Sequence, residues 1–326
     1  MKSYKNKAII FSVVLGLLAG GFSYGRAQTN FPSRLIDVVI PLAPGGGNDT
    51  VFLPFKERVG KILGQPLVVS YKPGAAGVIG TAFVAHSKPD GYTLLFGNKG
   101  GLIHGPLTKK GVGYTLDDFA PVCNIATVRG LFYVKDESPY RTLKDFIQAA
   151  KTKSLTYCTH GAMSINHISM EYLKKLEGLQ LVHIPQSGSA PCMVAGLGGH
   201  VDMSYTIAQK AMVGPGKLRP LAIPSDERDK SYPDVPTTKE LGYPFFKYAS
   251  AIYWLWAPKG TPKENINKIY EAFKKVVNEN REEIIKIYDS IDASLIFSGP
   301  EELGKESKEE YAFTKKMFDE MGIVAK

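Results

Sequence analysis

Short apolar runs alternate along this chain with segments whose apolar positions recur every three or four residues. The first run, residues 36–40 (IDVVI), is β-branched and predicts a buried parallel strand. It is followed by Val51, Phe55, Val59 and Ile62, which would share one face of an amphipathic helix. Residues 66–70 and 78–86 repeat this strand and helix, and 93–96 form a third strand. The alternation predicts parallel βα units and an α/β fold.

The turn between the first strand and helix, residues 41–50 (PLAPGGGNDT), contains three glycines. Glycine lets the backbone approach a ligand, and Asn48, Asp49 or Thr50 is predicted to cap the helix. Free N–H groups and the helix dipole at such a start favour an anion. Residues 72–77 (KPGAAG) repeat the device, so both turns should face one sheet edge. The alternative is a simple chain reversal, and the pattern is neither a dinucleotide fingerprint nor a phosphate loop.

A second βα series begins near Thr142, which forms a capping-box pattern with Asp145. Strands are predicted at 155–158 and 181–185, and each ends in a loop rich in glycine or serine. Ser164 is placed to cap the helix that follows the first loop. Residues 126–129 are the candidate crossing between the two domains.

The last third opens with a proline-rich segment, residues 232–237, and continues with a strand at 251–258. Thr261 is predicted to cap a helix that begins with Pro262 and ends near residue 280. A short helix, a strand and a long terminal helix complete the chain. This tail has too little sheet to stand alone, so we expect it to return to the first domain.

The amino terminus carries Lys2, Lys5 and Lys7, an apolar run over residues 8–22, and a Gly25-Arg26-Ala27 site. This pattern predicts a signal peptide cleaved after Ala27, and the run is short for an uncleaved anchor. Cleavage would leave 299 residues and remove four basic residues, which lowers the formal net charge from +9 to +5. The remaining basic residues are dispersed, which argues against nucleic-acid binding and supports only a weak preference for anionic solutes.

Candidate chemistry is sparse. Cys158 and Cys192 could pair in an oxidising compartment, or all three cysteines, with Cys123, could be buried hydrophobes. His160, His167, His183, Ser164 and Asp202 fall in one half of the chain, but no Gly-x-Ser-x-Gly elbow accompanies them. No metal-ligand spacing is present. We therefore expect neither an enzyme nor a cofactor.

Five ordered motifs resemble the Bug/TctC family, the periplasmic solute receptors of tripartite tricarboxylate transporters. They are PGGGND at 44–49, KPGAAG at 72–77, PDGYTLL at 89–95, YPDVPT at 232–237 and APKGTP at 257–262. The resemblance covers about residues 30–326. It implies a type 2 periplasmic-binding-protein fold, with two lobes, each a mixed sheet flanked by helices, and a ligand cleft between them.

The resemblance assigns residues 28–125 and 225–326 to lobe 1 and residues 126–224 to lobe 2. It implies a small carboxylate ligand: a di- or tricarboxylate, an acidic amino acid or an aromatic acid. The expected ligand-binding residues of lobe 1 are Ala43, Gly45, Gly46, Gly47, Asn48, Asp49, Thr50, Gly74, Ala75, Ala76, Gly77 and Asn98. Lobe 2 would add Gly161, Ser164, Ser187, Gly188, Asp202 and Thr206. Arg129, at the crossing, could pair with a second carboxylate or be a solvated surface arginine.

The sequence departs from the family pattern at Met163, at Gln186 and at Trp254, where glycine is frequent, so the resemblance does not identify the ligand. The implied partners are the membrane permease subunits of a tripartite tricarboxylate transporter, and we expect a periplasmic monomer. A ligand sensor for a two-component kinase is the alternative, and an exported α/β hydrolase is a more remote one.

Overall fold

The computed structural model describes residues 31–97, 99–162, 164–207 and 212–323. The strands are β1 Ile36–Ile40, β2 Leu67–Tyr71, β3 Thr93–Gly97, β4 Phe119–Val128, β5 Gly130–Lys135, β6 Leu155–Thr159, β7 Leu181–Pro185, β8 Met203–Ile207, β9 Leu218–Ala222, β10 Ala251–Pro258 and β11 Ala293–Ser298. The helices are α1 Gly47–Leu63, α2 Val78–Ala85, α3 Gly105–Thr108, α4 Leu143–Ala150, α5 Ile165–Glu177, α6 Ser189–Leu197, α7 Lys263–Asp289 and α8 Pro300–Glu320. A 3₁₀ turn, Pro244–Ala249, precedes β10.

The strands form two mixed sheets, and each is flanked by helices. The first has the order β11-β4-β10-β3-β1-β2, with β1 parallel to β2 and β3 and with β10 antiparallel to its neighbours. The second has the order β7-β6-β8-β5-β9, with β6 parallel to β7 and β8. The α/β prediction and the return of the tail to the first sheet are confirmed.

Strand β1 is buried on both faces, which agrees with its apolar residues at consecutive positions. Val38 packs into one hydrophobic cluster with residues of α1 and α7, and Val39 packs into another on the opposite face with Trp254. The predicted inner face of α1 is buried at Val51, Phe55 and Val59. The prediction that Ile62 belongs to this face is wrong, since Ile62 is 39% exposed and Leu63 is buried instead.

One predicted helix start is confirmed and another differs from the prediction. Thr142 and Asp145 form the expected capping box at α4. At α7 the cap residue is Pro262, and Thr261 instead donates its hydroxyl to the Pro258 carbonyl at 2.7 Å. The break predicted near residue 280 is a kink at Asn280 inside a single long helix.

The chain crosses between the sheets twice. Arg129 is the single residue between β4 and β5, within the predicted crossing. The return passes through residues 225–249, whose Phe246 is fully buried against Phe132 and Tyr205 of the second sheet. The assignment of residues to lobes stays a prediction, but this packing favours a second boundary near Ser250 over one at residue 225.

The terminal helix α8 contacts both lobes. Its Met317 and Phe318 form a buried cluster with Ile168 and Tyr172 of α5, against which Leu107 of α3 also packs. The Tyr172 hydroxyl donates to Glu320 at 2.9 Å. The last turns of the chain therefore hold the first lobe against the second.

His104 lies beside this cluster, with its ring 5.8 Å from that of Phe318 and its Nε2 buried without a partner among the described residues. Burial, reinforced by the nearby positive charge of Lys99, lowers the pKa of His104 to about 4. The folded protein therefore holds this imidazole neutral, whereas the unfolded chain binds a proton below its ordinary pKa near 6.5. Stability contributed by the neutral ring is complete above pH 6.5 and is lost as the pH falls toward 4.

We accordingly expect the free energy of unfolding of the wild type to fall more steeply between pH 6.5 and 4 than that of a His104→Gln variant. The difference should reach about 2 kcal/mol. Each pKa unit is worth about 1.4 kcal/mol, and the value is reduced because part of the His104 side chain remains accessible to solvent. Urea titrations across this range measure it. His86→Gln, at an exposed histidine, is the control, and parallel pH profiles for His104→Gln and the wild type would contradict the prediction.

Within the described residues, no helix combines the length and apolarity that crossing a membrane requires. Residues 1–27, assigned to a signal peptide from the sequence, lie outside the described part of the chain.

Candidate functional site

The two glycine turns of the first lobe lie at one edge of its sheet, as predicted. The strands that precede them, β1 and β2, are parallel neighbours, and their last residues Ile40 and Tyr71 are paired in register. Each turn leads directly into a helix, α1 or α2. This edge therefore carries two adjacent helix starts at the carboxyl ends of parallel strands, where α/β proteins bind ligands.

The first turn is organised by a carboxylate of the protein itself. Asp49 accepts a hydrogen bond from the Gly45 N–H at 2.7 Å and a very short one from the Tyr71 hydroxyl. The cap residue is Gly46, so the prediction that Asn48, Asp49 or Thr50 caps the helix is wrong. Asp49 braces the loop because it lies in the first helical turn and reaches back to Gly45.

This bracing leaves donors at the helix start. The N–H groups of Gly46, Gly47 and Asn48 have no acceptor among the residues that the structure describes. Residues 43–47 are exposed, whereas the Asn48 side chain is 4% exposed. Backbone donors and the helix dipole together suit an anion, and the buried Asn48 Oδ1 has no hydrogen-bond partner among the described residues.

Tyr253 of β10 stands over this helix start. A Cβ atom on Gly47 would lie 2.5 Å from the Tyr253 hydroxyl oxygen, so glycine is needed for the close approach. The ring stacks on Phe96 at 6.4 Å, which fixes its direction. None of the sequence motifs includes Tyr253, because nothing in a strand pattern shows which side chain reaches a distant turn.

The second turn holds four consecutive residues with positive φ: Gly74, Ala75, Ala76 and Gly77. Alanine rarely adopts this conformation, and each instance costs about 1–2 kcal/mol. The Gly77 N–H bonds to the Gly74 carbonyl at 2.9 Å, while those of Ala75 and Ala76 have no acceptor in the described part of the chain. Backbone strain that leaves unpaired donors at a sheet edge is typical of a binding loop.

In the second lobe, Thr159 at the end of β6 organises the loop that leads to Ser164. Its hydroxyl donates to the Gly161 carbonyl at 2.9 Å and lies 2.9 Å from the His183 Nε2. Ser164 caps α5 as predicted, accepting from the His167 N–H at 3.3 Å. The sequence did not single out Thr159, because a strand-end threonine carries no motif of its own.

The loop with Ser187 and Gly188 precedes α6 at the end of the neighbouring parallel strand β7. Gly188 is the cap residue of α6 and makes no side-chain cap. Cys158 of β6 and Cys192 of α6 form a disulfide, with their Cα atoms 5.8 Å apart. The covalent link ties the two candidate loops of this lobe together, while Cys123 is a buried free thiol.

One predicted residue, Asp202, is not brought to these edges. Asp202 lies before β8, where its carboxylate accepts from the Thr156 N–H at 2.7 Å and the Thr156 hydroxyl at 2.8 Å. Since Thr156 is near the start of β6, Asp202 is at the opposite end of the strand from the Gly161 loop. This position corrects its assignment to the ligand site. It follows from parallel pairing of β6 and β8, which one residue's identity could not reveal.

Arg129 has acidic neighbours, whereas Thr206 lies at the predicted edge of the second sheet. Arg129 lines two pockets that contain none of the other predicted ligand residues, and its nearest charges include Glu227 and Asp229. Acidic surroundings disfavour a second ligand carboxylate there. Thr206 is fully buried near the carboxyl end of β8, beside the end of its parallel neighbour β6, and its Oγ1 has no hydrogen-bond partner among the described residues, so its assignment to the site stays a prediction. Asn98 and Met163 lie outside the described residues.

Two histidines of the second lobe, His167 and His183, form a stack and not a catalytic triad. The rings of His167 and His183 are 3.9 Å apart, and burial, with the neighbouring His167, lowers the pKa of His183 to about 4. Asp202 is occupied by Thr156, as described. No three His, Cys, Asp or Glu side chains converge to hold a metal ion within the described ranges.

Trp254 is 1% exposed in the first-lobe core, packed edge-to-face against Trp256 at 5.7 Å. Its departure from the family's frequent glycine therefore alters packing, and the side chain does not line a cleft.

The chain is similar to members of one receptor family over most of its length. Residues 51–317 match the family model described as the tripartite tricarboxylate transporter family receptor, TctC. The UPF0065 protein of the gbd 5′ region of Cupriavidus necator is 37% identical over 257 residues, which is 78% of either chain. BugT of Bordetella pertussis is 31% identical over 299 residues, covering 89% of this chain and 90% of BugT.

Solved structures of solute-binding proteins have the same fold as this chain. A TctC solute-binding protein from Polaromonas superposes with a TM-score of 0.78 at 29% identity, covering 89% of this chain and 99% of that one. MatC from Rhodopseudomonas palustris, with bound malate, gives 0.65 at 28% identity, covering 88% and 99%. An R. palustris protein with adipate gives 0.68 at 26%, covering 91% and 100%. The relatives are solute-binding receptors, not enzymes, and this chain belongs to the TctC family of tripartite tricarboxylate transporter receptors.

Proposed function

We propose that this receptor binds a small carboxylate between its two lobes and delivers it to the permease subunits of a tripartite tricarboxylate transporter. The observation that carries the proposal is the pair of adjacent turns at one edge of the first sheet. Their unpaired N–H groups belong to Gly46, Gly47 and Asn48 in one turn and to Ala75 and Ala76 in the other. Backbone donors at helix starts replace the hydration of an anion without contributing a counter-charge.

The physical basis of binding is the exchange of water for preorganised donors. Each charge-assisted hydrogen bond contributes about 1.5–3 kcal/mol net, and the bracing by Asp49 means that little ordering is needed on binding. A ligand that also contacts the Gly161 to Ser164 and Ser187–Gly188 loops bridges both lobes. Its differential affinity would then shift the lobes from open to closed.

The ligand class we favour is a dicarboxylate. Two solved relatives hold malate and adipate, which carry carboxylates at both ends of a short chain. One carboxylate would bind the first-lobe turns, and the second lobe would select the remainder of the molecule. Backbone amides recognise a carboxylate group and not its carrier, so specificity should follow the second-lobe loops.

Export and association complete the proposal. The family is periplasmic, and residues 1–27 have the pattern of a cleaved signal peptide. We propose that the mature receptor acts there as a monomer.

A calorimetric screen tests carboxylate binding directly. We expect at least one dicarboxylate from a panel that includes malate and adipate to bind the full chain, and its diamide to bind at least about tenfold more weakly. The diamide keeps size and shape while removing the charge. Failure of every carboxylate in a broad panel, or equal binding of acid and amide, would contradict the proposed function.

Tyr253→Phe tests the position of the site. The ring should keep its packing on Phe96, so we expect stability within about 1 kcal/mol of the wild type and an affinity for the identified carboxylate reduced about tenfold. Tyr270→Phe makes the same chemical change at a ring stacked on Phe297 and is the matched control. An unchanged affinity in Tyr253→Phe would remove this hydroxyl from the site.

A further inference from the structure

A second pocket lies where the chain crosses between the lobes, and we refer to it as the hinge pocket. It has a volume of about 390 Å³ and includes Thr127 and Arg129 of the first crossing and Ser250 of the second. Strands β4, β10 and β11 and helix α8 form one wall, and residues 224–227 and 247–248 form the other. No residue of the two glycine turns lines it, so it is separate from the proposed carboxylate site.

The hinge pocket is strongly acidic. Six acidic side chains line it against two basic ones, Arg129 and Lys247. Lys247 is paired with Asp226 at 2.9 Å, and Glu310 is paired with Lys99. Arg129 has Glu227 as a neighbouring opposite charge. The remaining acidic side chains of the pocket form a row of Glu302, Glu306 and Glu309, which share one face of α8 because they are spaced by four and three residues.

The acidic row carries more negative charge than its surroundings compensate. Burial and the neighbouring charge of Glu302 raise the pKa of Glu306, and Glu309 acts in the same direction. Among the described residues, Glu302 and Glu309 have no ion-pair partner. A positively charged guest would relieve this repulsion.

Asn124 supplies an independent sign of a missing donor. It is 2% exposed and lines the pocket, and its Nδ2 donates to Glu306 at 2.8 Å and to Ser298 at 3.0 Å. An ionised carboxylate only accepts, so the amide orientation is fixed. The Asn124 Oδ1 is then a buried acceptor without a donor in the described part of the chain, which carries a free-energy cost until a donor binds.

The residues that line the pocket suit an organic cation better than a metal ion. No three carboxylate, imidazole or thiolate side chains of the described residues converge closely enough to chelate a metal. Ile252, Ile296 and Pro224 instead add an apolar surface beside the acidic row. Such a surface suits methylene groups, while the acidic row and the Asn124 Oδ1 suit N–H donors.

We propose that the hinge pocket is a second ligand site, which binds a small aliphatic cation with one or more ammonium groups. Ammonium N–H groups bond to Glu306 and to the Asn124 Oδ1, and the carbon chain lies against Ile252 and Ile296. Both lobes contribute to the site, so the bound cation touches each side of the crossing.

Calorimetry of the full chain with 1,4-diaminobutane as the probe tests the proposal. We expect saturable 1:1 binding at low salt, no binding of the uncharged 1,4-butanediol, and weaker binding as salt is added. Glu302→Gln, Glu306→Gln and Glu309→Gln should each weaken diaminobutane binding about three- to fivefold, the scale of a half-exposed ion pair. Glu301→Gln removes the same charge from the same helix outside the pocket and should change nothing.

Two results would overturn the proposal: no saturable binding of diaminobutane by the wild type, or an equal loss of affinity in Glu301→Gln, which would show only bulk charge attraction. A carboxylate found in the panel above should bind Glu306→Gln as it binds the wild type, which confirms that this variant is folded. The two sites therefore fail or succeed separately.

Discussion

Lys99→Met is expected to lower the free energy of unfolding by about 3–5 kcal/mol. The Lys99 ammonium is ion-paired with Glu310, and the two side chains are 4% and 3% exposed. It also donates to the Tyr248 carbonyl at 3.0 Å. Burial lowers the pKa of Lys99 and raises that of Glu310, and each partner's charge opposes this shift in the other. Removing the lysine leaves the Glu310 carboxylate buried without a counter-charge. This costs far more free energy than the loss of an exposed ion pair.

The double variant Lys99→Met/Glu310→Met separates that penalty from the net value of the pair. Replacing both charges with apolar groups of similar volume should recover stability to within about 1 kcal/mol of the wild type. Lys315→Met, which breaks an exposed ion pair with Asp319 on the same terminal helix, should cost less than about 1 kcal/mol. Chemical denaturation of the four proteins measures these differences. A double variant no more stable than Lys99→Met would refute the explanation.

Loss of the disulfide in a Cys158→Ala/Cys192→Ala variant is expected to lower the free energy of unfolding by about 3–4 kcal/mol. The bridge closes a loop across a sequence separation of 34, and chain-entropy arguments give an effect of this size. The link also ties the loop after β6 to the start of α6. We therefore expect weaker binding of the identified carboxylate, since both candidate second-lobe loops gain freedom.

Guanidinium unfolding with and without reductant measures the stability term. The wild type should lose stability in reductant until it resembles the double variant, which should not respond. Cys123→Ala removes a buried free thiol and should cost about 1 kcal/mol with an unchanged response to reductant. A double variant within 1 kcal/mol of the wild type would show that the bridge adds little to the native state.

Local patterns predicted the elements that depend on neighbouring residues. The β-branched run at 36–40 is β1 with those bounds, and the Thr142 capping box is formed. The glycine turns lie at one edge because parallel neighbours must bring their carboxyl ends together. These features follow from a few residues at a time, so a single sequence contains enough information to find them.

Contacts between distant segments of the chain could not be predicted from the sequence alone. Lys99 and Glu310 are separated by most of the chain, and neither belongs to a motif. Tyr253 reaches Gly47 only because β10 enters the first sheet beside β3. The same limitation explains Asp202: a polar residue near a strand end can lie at either edge of a sheet, and only strand pairing decides which.

The position of β10 has a consequence for the order in which the chain can fold as it is made. β10 lies between β3 and β4, so these two strands have no direct pairing with each other. The second sheet has all of its strands once residue 222 is available, whereas the first sheet stays split until β10 at Ala251–Pro258 joins its halves. Since domains fold as their chain emerges, the second lobe completes first. The edges of β3 and β4 then stay unpaired until the last quarter of the chain is available. The stage at which the first lobe is incomplete is therefore the one at which a chaperone is most needed.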